Sequence, residues 1–260
     1  MKLDLNSFFR KRFNSWLSKK EILVSFESNE EIVCEAIKNS AAVIGCAPWL
    51  NNTKILEELE KVKHGTCIVI DKGTFYPKNH KLYSKIPALS FDIANIPSDF
   101  SFLNQVESKI NTDAIRVFGK TEPEKGAIKS LLHYKFFVLC DVEMKNEKIS
   151  GISPSAVIFG SFNFTKNATF CREVTTFIKN KEVANDFFNE WARVFWLSEP
   201  IKKFDNKEFN PEYMEATSAV EIIDQMREEE GIVTNFHLDS GRQDWEGNFF
   251  EKDSFHWSDN

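Results

Sequence analysis

The chain has 260 residues, 33 Lys and Arg against 39 Asp and Glu, and an apolar share of 42%. That length holds one sizeable domain with appendages, no stretch approaches the ~18 apolar residues of a membrane span, and the N-terminus lacks the apolar core and small-residue cleavage site of a secretory signal, so a cytoplasmic setting is expected. The net charge of −6 is unevenly spread: residues 201–260 hold 6 basic and 15 acidic side chains, which leaves residues 1–200 slightly positive and compatible with a polyanionic partner.

Residues 1–20 form a segment of their own. Leu5, Phe8, Phe9, Phe13, Trp16 and Leu17 recur at helical spacing, with Arg10, Lys11, Arg12, Lys19 and Lys20 mostly on other faces. A basic amphipathic helix of this kind packs on its own domain or a partner more often than on an anionic membrane or nucleic acid.

From Glu21 to about residue 200 short apolar runs alternate with helical periodicity. Ile22 to Phe26 reads as a strand, Asn29 to Lys38 as a helix, Ala41 to Ala47 as a strand, Asn52 to Val62 as a helix and Thr66 to Asp71 as a strand. Ser28 with Glu31 makes a capping box, and Asn51 or Asn52 an N-cap. Residues 72–86 break the pattern with aromatics, lysines and Pro77, which predicts a loop and short helix at a strand's carboxyl end. Tyr76 and Lys78 there are candidates for holding a single strand, although a solvated loop with its rings tucked in accounts for them equally well. Leu89 to Ile93, a helix around residues 102–110 and Ala114 to Phe118 complete another βαβ unit. Gly119 to Gly126 is a charged loop whose Lys120 would border the entrance to whatever follows. Such order predicts an α/β fold with a mixed, largely parallel sheet covered by helices on both faces.

Chemistry concentrates between His133 and Glu173. His133, Tyr134 and Lys135 precede the apolar run Phe136 to Leu139; a polar stretch, read as an extended hairpin, leads to Val157 to Phe159; then come Gly160, Ser161, Phe162 and Asn163, and Arg172 and Glu173 open a β-branched run. Two adjacent strand ends would present His133, Lys135, Ser161 and Asn163 together. A neutral imidazole is a nucleophile near pH 7, ammonium and amide groups donate to phosphate oxygens, and a carboxylate can fix an imidazole's tautomer. Singly, a His before a strand or a Gly-Ser turn is ordinary; in this order they suit a phosphodiester.

These residues resemble the phospholipase D superfamily, whose signature is His-x-Lys-x4-Asp, then Gly-Ser-x-Asn, then a Glu about ten residues on. His133 and Lys135 match the first part, Gly160, Ser161 and Asn163 the second, Glu173 the third. Cys140 stands where the family has its Asp, with Asp141 one position later, a shift that a strand bulge would absorb. The resemblance implies a metal-independent phosphohistidine mechanism with no cofactor. His133 would be the nucleophile, Glu173 would orient it, and Lys135, Ser161 and Asn163 would hold the phosphate. Because only one such motif is present, it also implies a homodimer with His133 of both subunits in a shared site. A nuclease on DNA or RNA is the leading reading; a cardiolipin-type phospholipid hydrolase and a non-catalytic dimeric interaction module are the alternatives.

Cys34, Cys46, Cys67, Cys140 and Cys171 show no paired spacing and read as reduced core residues. His64, His80, His237 and His256 show no metal-ligand spacing. Lys181 to Trp196 is a strongly amphipathic closing helix, ended by Pro200. Residues 201–260 form an acidic extension. A further helix is expected from Asn210 and Pro211 to about Glu230, followed by Trp245, Phe249, Phe250, Phe255 and Trp257, a composition suited to docking on the domain or on a protein partner.

Overall fold

The computed structural model describes residues 21–72, 80–91, 110–111, 113–122, 127–130, 132–146, 148–202 and 210–213. The predicted N-terminal helix, the helix at 102–109, Tyr76, Lys78 and the extension beyond Tyr213 lie outside the described residues. In chain order the elements are β1 (Ile22–Ser25), α1 (Asn29–Lys38), β2 (Ala42–Ala47), α2 (Thr53–Leu59), β3 (Thr66–Asp71), α3 (His80–Tyr83), β4 (Ser90–Phe91), β5 (Ile110–Asn111), β6 (Ile115–Phe118), β7 (Lys120–Glu122), β8 (Ala127–Ser130), β9 (Phe136–Lys145), β10 (Lys148–Gly160), β11 (Thr175–Ile178), α4 (Lys181–Trp196) and β12 (Glu199–Pro200).

An eight-stranded mixed sheet in the order β1-β11-β10-β9-β2-β3-β6-β12 carries the fold. The expectation of a largely parallel sheet is corrected: five neighbouring pairs are antiparallel, and only β2–β3 and β3–β6 are parallel. The reason lies in the connections. Helical crossovers, which place strands side by side in parallel, are a feature of the first half; β9 and β10 follow one another directly and pair as a hairpin, and β11, joined to β10 with no α-helix between, pairs with it antiparallel. The β9–β10 hairpin runs from Phe136 to Gly160, with Asn146 in the left-handed turn conformation.

Every residue of β2 and β3 is buried, the signature of strands covered on both sides. On one face α1 and α2 set Ile32, Val33, Ile37, Ile55, Leu56 and Leu59 against Val43, Ile68, Phe137, Leu139 and Ile158. On the other α4 buries Phe188, Trp191, Val194, Phe195 and Trp196 against Ile44, Val69, Val138 and Val157. At roughly 1.5–3 kcal/mol per large side chain, the α4 interface alone is worth on the order of 10 kcal/mol before entropy is charged against it. Trp191 keeps its indole N–H satisfied by donating to the Cys67 carbonyl at 3.1 Å.

Several local expectations change. Asn52 does cap α2, its side chain accepting from the Lys54 and Ile55 amides at 3.0 and 3.2 Å. Ser28 makes no side-chain cap and sits in the left-handed region instead, so the capping box is not formed. The strand at Leu89 leaves the main sheet, because Ser90 and Phe91 pair with β5. The loop expected at 119–126 contains one arm of the β7–β8 hairpin, which places Lys120 in a strand. Pro211 does not open a helical turn, and Glu212 and Tyr213 are bends. They pack on the body: Tyr213 stacks on Phe195 at 5.5 Å, and Arg116 bonds Glu212 at 2.7 Å and lies over the Tyr213 ring. Among the described residues no helix is long and apolar enough to cross a membrane.

Candidate active site

The site forms where β9, β10 and β11 end together. Phe136 turns toward α4 and Phe137 toward α1, so both faces of β9 are committed from its first residue. Just before it, Leu132 is buried and its amide donates to Asp71 Oδ2 at 3.1 Å, which ties the approach to β9 to the carboxyl end of β3. His133 and Tyr134 therefore emerge exposed, and Lys135 is half-buried. Sequence patterning does not single out Asp71; an acidic residue closing the apolar run Cys67 to Ile70 is the available signal.

The Gly160 to Asn163 turn is fixed just as tightly. The Gly160 amide donates to the Lys135 carbonyl at 3.3 Å, and a Cβ on Gly160, whose φ is 157°, would stand 2.1 Å from the Val174 carbonyl oxygen. That same oxygen accepts from the Ser161 amide at 3.0 Å and the Phe162 amide at 3.4 Å. Phe162 and Phe164 are buried, Phe164 stacking on Phe137 at 4.1 Å, and they hold Asn163 half-buried between them. Asn163 Oδ1 is enclosed and has no partner among the described residues.

Ser161 Oγ donates to Glu173 Oε2 and accepts from the Val174 amide at 3.0 Å. Its proton is thus committed to Glu173 and not offered outward. The Lys135 ammonium donates to the His133 carbonyl at 2.9 Å and lies 3.1 Å from His133 Nε2. An ammonium has only donors, so Nε2 accepts and the ring proton is assigned to Nδ1. Glu173 makes no hydrogen bond to the imidazole in this arrangement; its charge acts on Lys135, raising a pKa that burial lowers.

Burial and then the Lys135 charge push the His133 pKa below its ordinary value near 6.5. The sign follows: both effects disfavour imidazolium, so the ring stays neutral to lower pH than a free histidine. Lys135→Met removes the second cause, and an NMR titration of the His133 ring, assigned with His133→Asn, should show its midpoint move upward. A midpoint that stays or falls would mean that the Lys135 charge is not felt at the ring.

The displaced acid is resolved by the hairpin. The irregularity between Pro154 and Ala156 places the extra residue, Ser155, on β10, leaving the alternation of β9 intact. Cys140 is therefore buried on the α4 side and Asp141 exposed on the other. Six residues at ~3.3 Å each put Asp141 about 20 Å along the strand from Lys135, away from the site. Trp49 is a neighbour that sequence reasoning missed, its ring meeting the His133 ring edge-on at 6.0 Å. Among the described residues no group of three or more His, Cys, Asp or Glu is placed to hold a metal ion.

No protein-family model matches the chain. It is 25% identical over 213 residues to uncharacterized protein L381 of Acanthamoeba polyphaga mimivirus, covering 76% of this chain and 73% of that one. Among solved structures it is similar to Nuc of Salmonella typhimurium, described as a phospholipase D family member, at 18% identity and TM-score 0.43, over 68% of this chain and 95% of that one. NucT from Helicobacter pylori is similar at 14% identity and TM-score 0.39, over 67% and 96%.

Proposed function

We propose that the chain is a phosphodiesterase of the phospholipase D type, acting as a nuclease through a phosphohistidine at a site shared by two copies. The observation that carries this reading is the joining of His133, Lys135, Ser161 and Glu173 on three adjacent strand ends, with the imidazole pKa lowered and its Nε2 lone pair held by a lysine. When a diester enters, its non-bridging oxygens compete for the Lys135 ammonium, which releases Nε2 to attack phosphorus. The Nε2–P bond forms, the P–O bond to the leaving group breaks, and the leaving oxygen takes a proton from a second imidazolium. Water then attacks phosphorus, gives its proton to that second ring, and the P–N bond breaks. The chain carries one His-x-Lys motif of this kind, so His133 of a partner copy supplies the acid. Asn163 contributes its amide to the phosphate, and Glu173, through Ser161 and its charge on Lys135, keeps the ammonium protonated.

The test is turnover of bis(p-nitrophenyl) phosphate and of a single-stranded oligonucleotide in excess EDTA. Cleavage should persist; a strict Mg²⁺ requirement restored by titration would overturn the phosphohistidine reading. Mixed dimers of wild type and His133→Asn should be almost inactive, whereas half-activity would mean self-contained sites.

A further inference from the structure

Beside the proposed site lies an open cavity of about 570 Å³, walled by Trp49, Asn51, Thr165, Lys166, Asn167 and Phe170. We infer that this cavity is a nucleobase subsite, seating the nucleotide next to the scissile phosphate of a single-stranded nucleic acid. The inference rests on the phosphodiesterase reading and gives it a substrate class.

Position comes first. Trp49 belongs to both features: it walls the cavity and stands edge-on to His133 with ring centres 6.0 Å apart. A phosphate at the imidazole would therefore direct its adjoining nucleotide toward the cavity.

The walls are also built before any ligand arrives. On one side, the loop after β2 is stapled across the site turn, since the Asn51 and Asn52 amides both donate to the Phe164 carbonyl at 3.0 Å and the Tyr83 hydroxyl donates to the Leu50 carbonyl at 2.8 Å. On the other, the 3₁₀ turn Asn167–Phe170 is held by Thr165 Oγ1, which accepts from the Ala168 amide at 3.2 Å, and by the Thr169 hydroxyl donating to the Lys166 carbonyl at 2.7 Å. The Lys166 amide donating to Asn51 Oδ1 at 3.4 Å joins the two sides. A preformed cleft does not spend binding energy on ordering itself.

Chemistry then selects the occupant. Trp49 and Phe170 line the cavity with aromatic side chains, the residue type on which a flat heterocycle stacks. Asn51 Oδ1 is occupied by Lys166, which leaves its amide nitrogen as a donor, and Asn167 is exposed with its own amide. A base edge, with donors and acceptors in one plane, is what such groups recognise. Lys166 is exposed, with no ion-pair partner among the described residues, and suits the next phosphate along the strand. Acyl chains would call for an unbroken apolar groove, which these amides interrupt. A paired base is locked in its stack, so the strand must be single.

The experiment compares p-nitrophenol release from thymidine 5′-(p-nitrophenyl phosphate) and from its abasic deoxyribose counterpart, using the full chain. Isothermal titration with thymidine 5′-monophosphate and deoxyribose 5-phosphate adds a readout that needs no turnover. The base should raise kcat/KM and affinity by about tenfold or more. Phe170→Leu and the solvent-facing Asn167→Ala should shrink that ratio several-fold while leaving the abasic substrate unchanged and the melting temperature intact. If neither substrate turns over but the base preference in binding holds and the variants erase it, the subsite stands and the catalytic reading falls. Equal values with and without the base overturn the inference, while cleavage of both leaves the phosphodiesterase standing. Hydrolysis of dihexanoylphosphatidylcholine that shows the variant sensitivity in place of the nucleotide substrate also overturns it, in favour of a lipid.

Discussion

His133→Asn should reduce diester turnover by at least about 10³-fold, because an asparagine amide has no basic lone pair with which to form a covalent phosphoryl intermediate. The side chain is exposed, and its polar contacts are with Lys135, two residues away. Its loss therefore removes no core packing. Far-UV circular dichroism and the thermal midpoint should match wild type, which separates a chemical defect from a folding defect. Glu173→Gln should cost less: its carboxylate acts through Ser161 and through the charge on Lys135, and a neutral amide retains an acceptor for the Ser161 hydroxyl. Wild-type turnover in His133→Asn would remove the nucleophile assignment and the mechanism with it.

The largest effect on stability should come from the buried ion pair between Lys72 and Glu199. Their side chains are 0% and 1% exposed, with Nζ and Oε1 2.7 Å apart. Removing one partner breaks this ion pair at a site shielded from water, a loss of roughly 3–5 kcal/mol. For a body of this size that lowers the thermal midpoint by on the order of 10 °C. Glu199→Leu should show this loss, and pairing it with Lys72→Met should restore much of it, since two apolar side chains of similar volume need no desolvation. The Glu199 carboxylate also accepts from the Asn210 amide at 3.3 Å, so protection from hydrogen exchange at residues 210–213 should fall along with stability. A single variant as stable as wild type would show that the pair contributes nothing net. The same corner bears on catalysis, because Asp71, beside Lys72, holds the Leu132 amide directly before His133.

The sequence by itself determined the elements whose patterns are local. Helices at Asn29–Lys38 and Lys181–Trp196 and the strand at Thr66–Asp71 fall where periodicity puts them, because apolar spacing and flanking polar residues act within one or two turns. It also led to the expectation that two adjacent strand ends present His133, Lys135, Ser161 and Asn163 together, since each flanks a strand whose partner follows closely along the chain. Strand direction was decided by tertiary structure. An apolar run such as Phe136 to Cys140 looks alike whichever way its neighbours run, and only pairing with β2 and β10 made it antiparallel to both. The hydrogen-bond assignments within the site were decided in the same way. The resemblance implied that Glu173 would orient the imidazole, but the close approach at Gly160 and Val174 brings Ser161 to the carboxylate and leaves the ring to Lys135. Trp49 and Asp71 reach the site from elsewhere in the sequence, 84 and 62 residues before His133, over separations at which a single sequence carries no periodic signal. They are there because β2 and β3 end on the same side of the sheet as the approach to β9, and sheet topology, not spacing, brings those ends together.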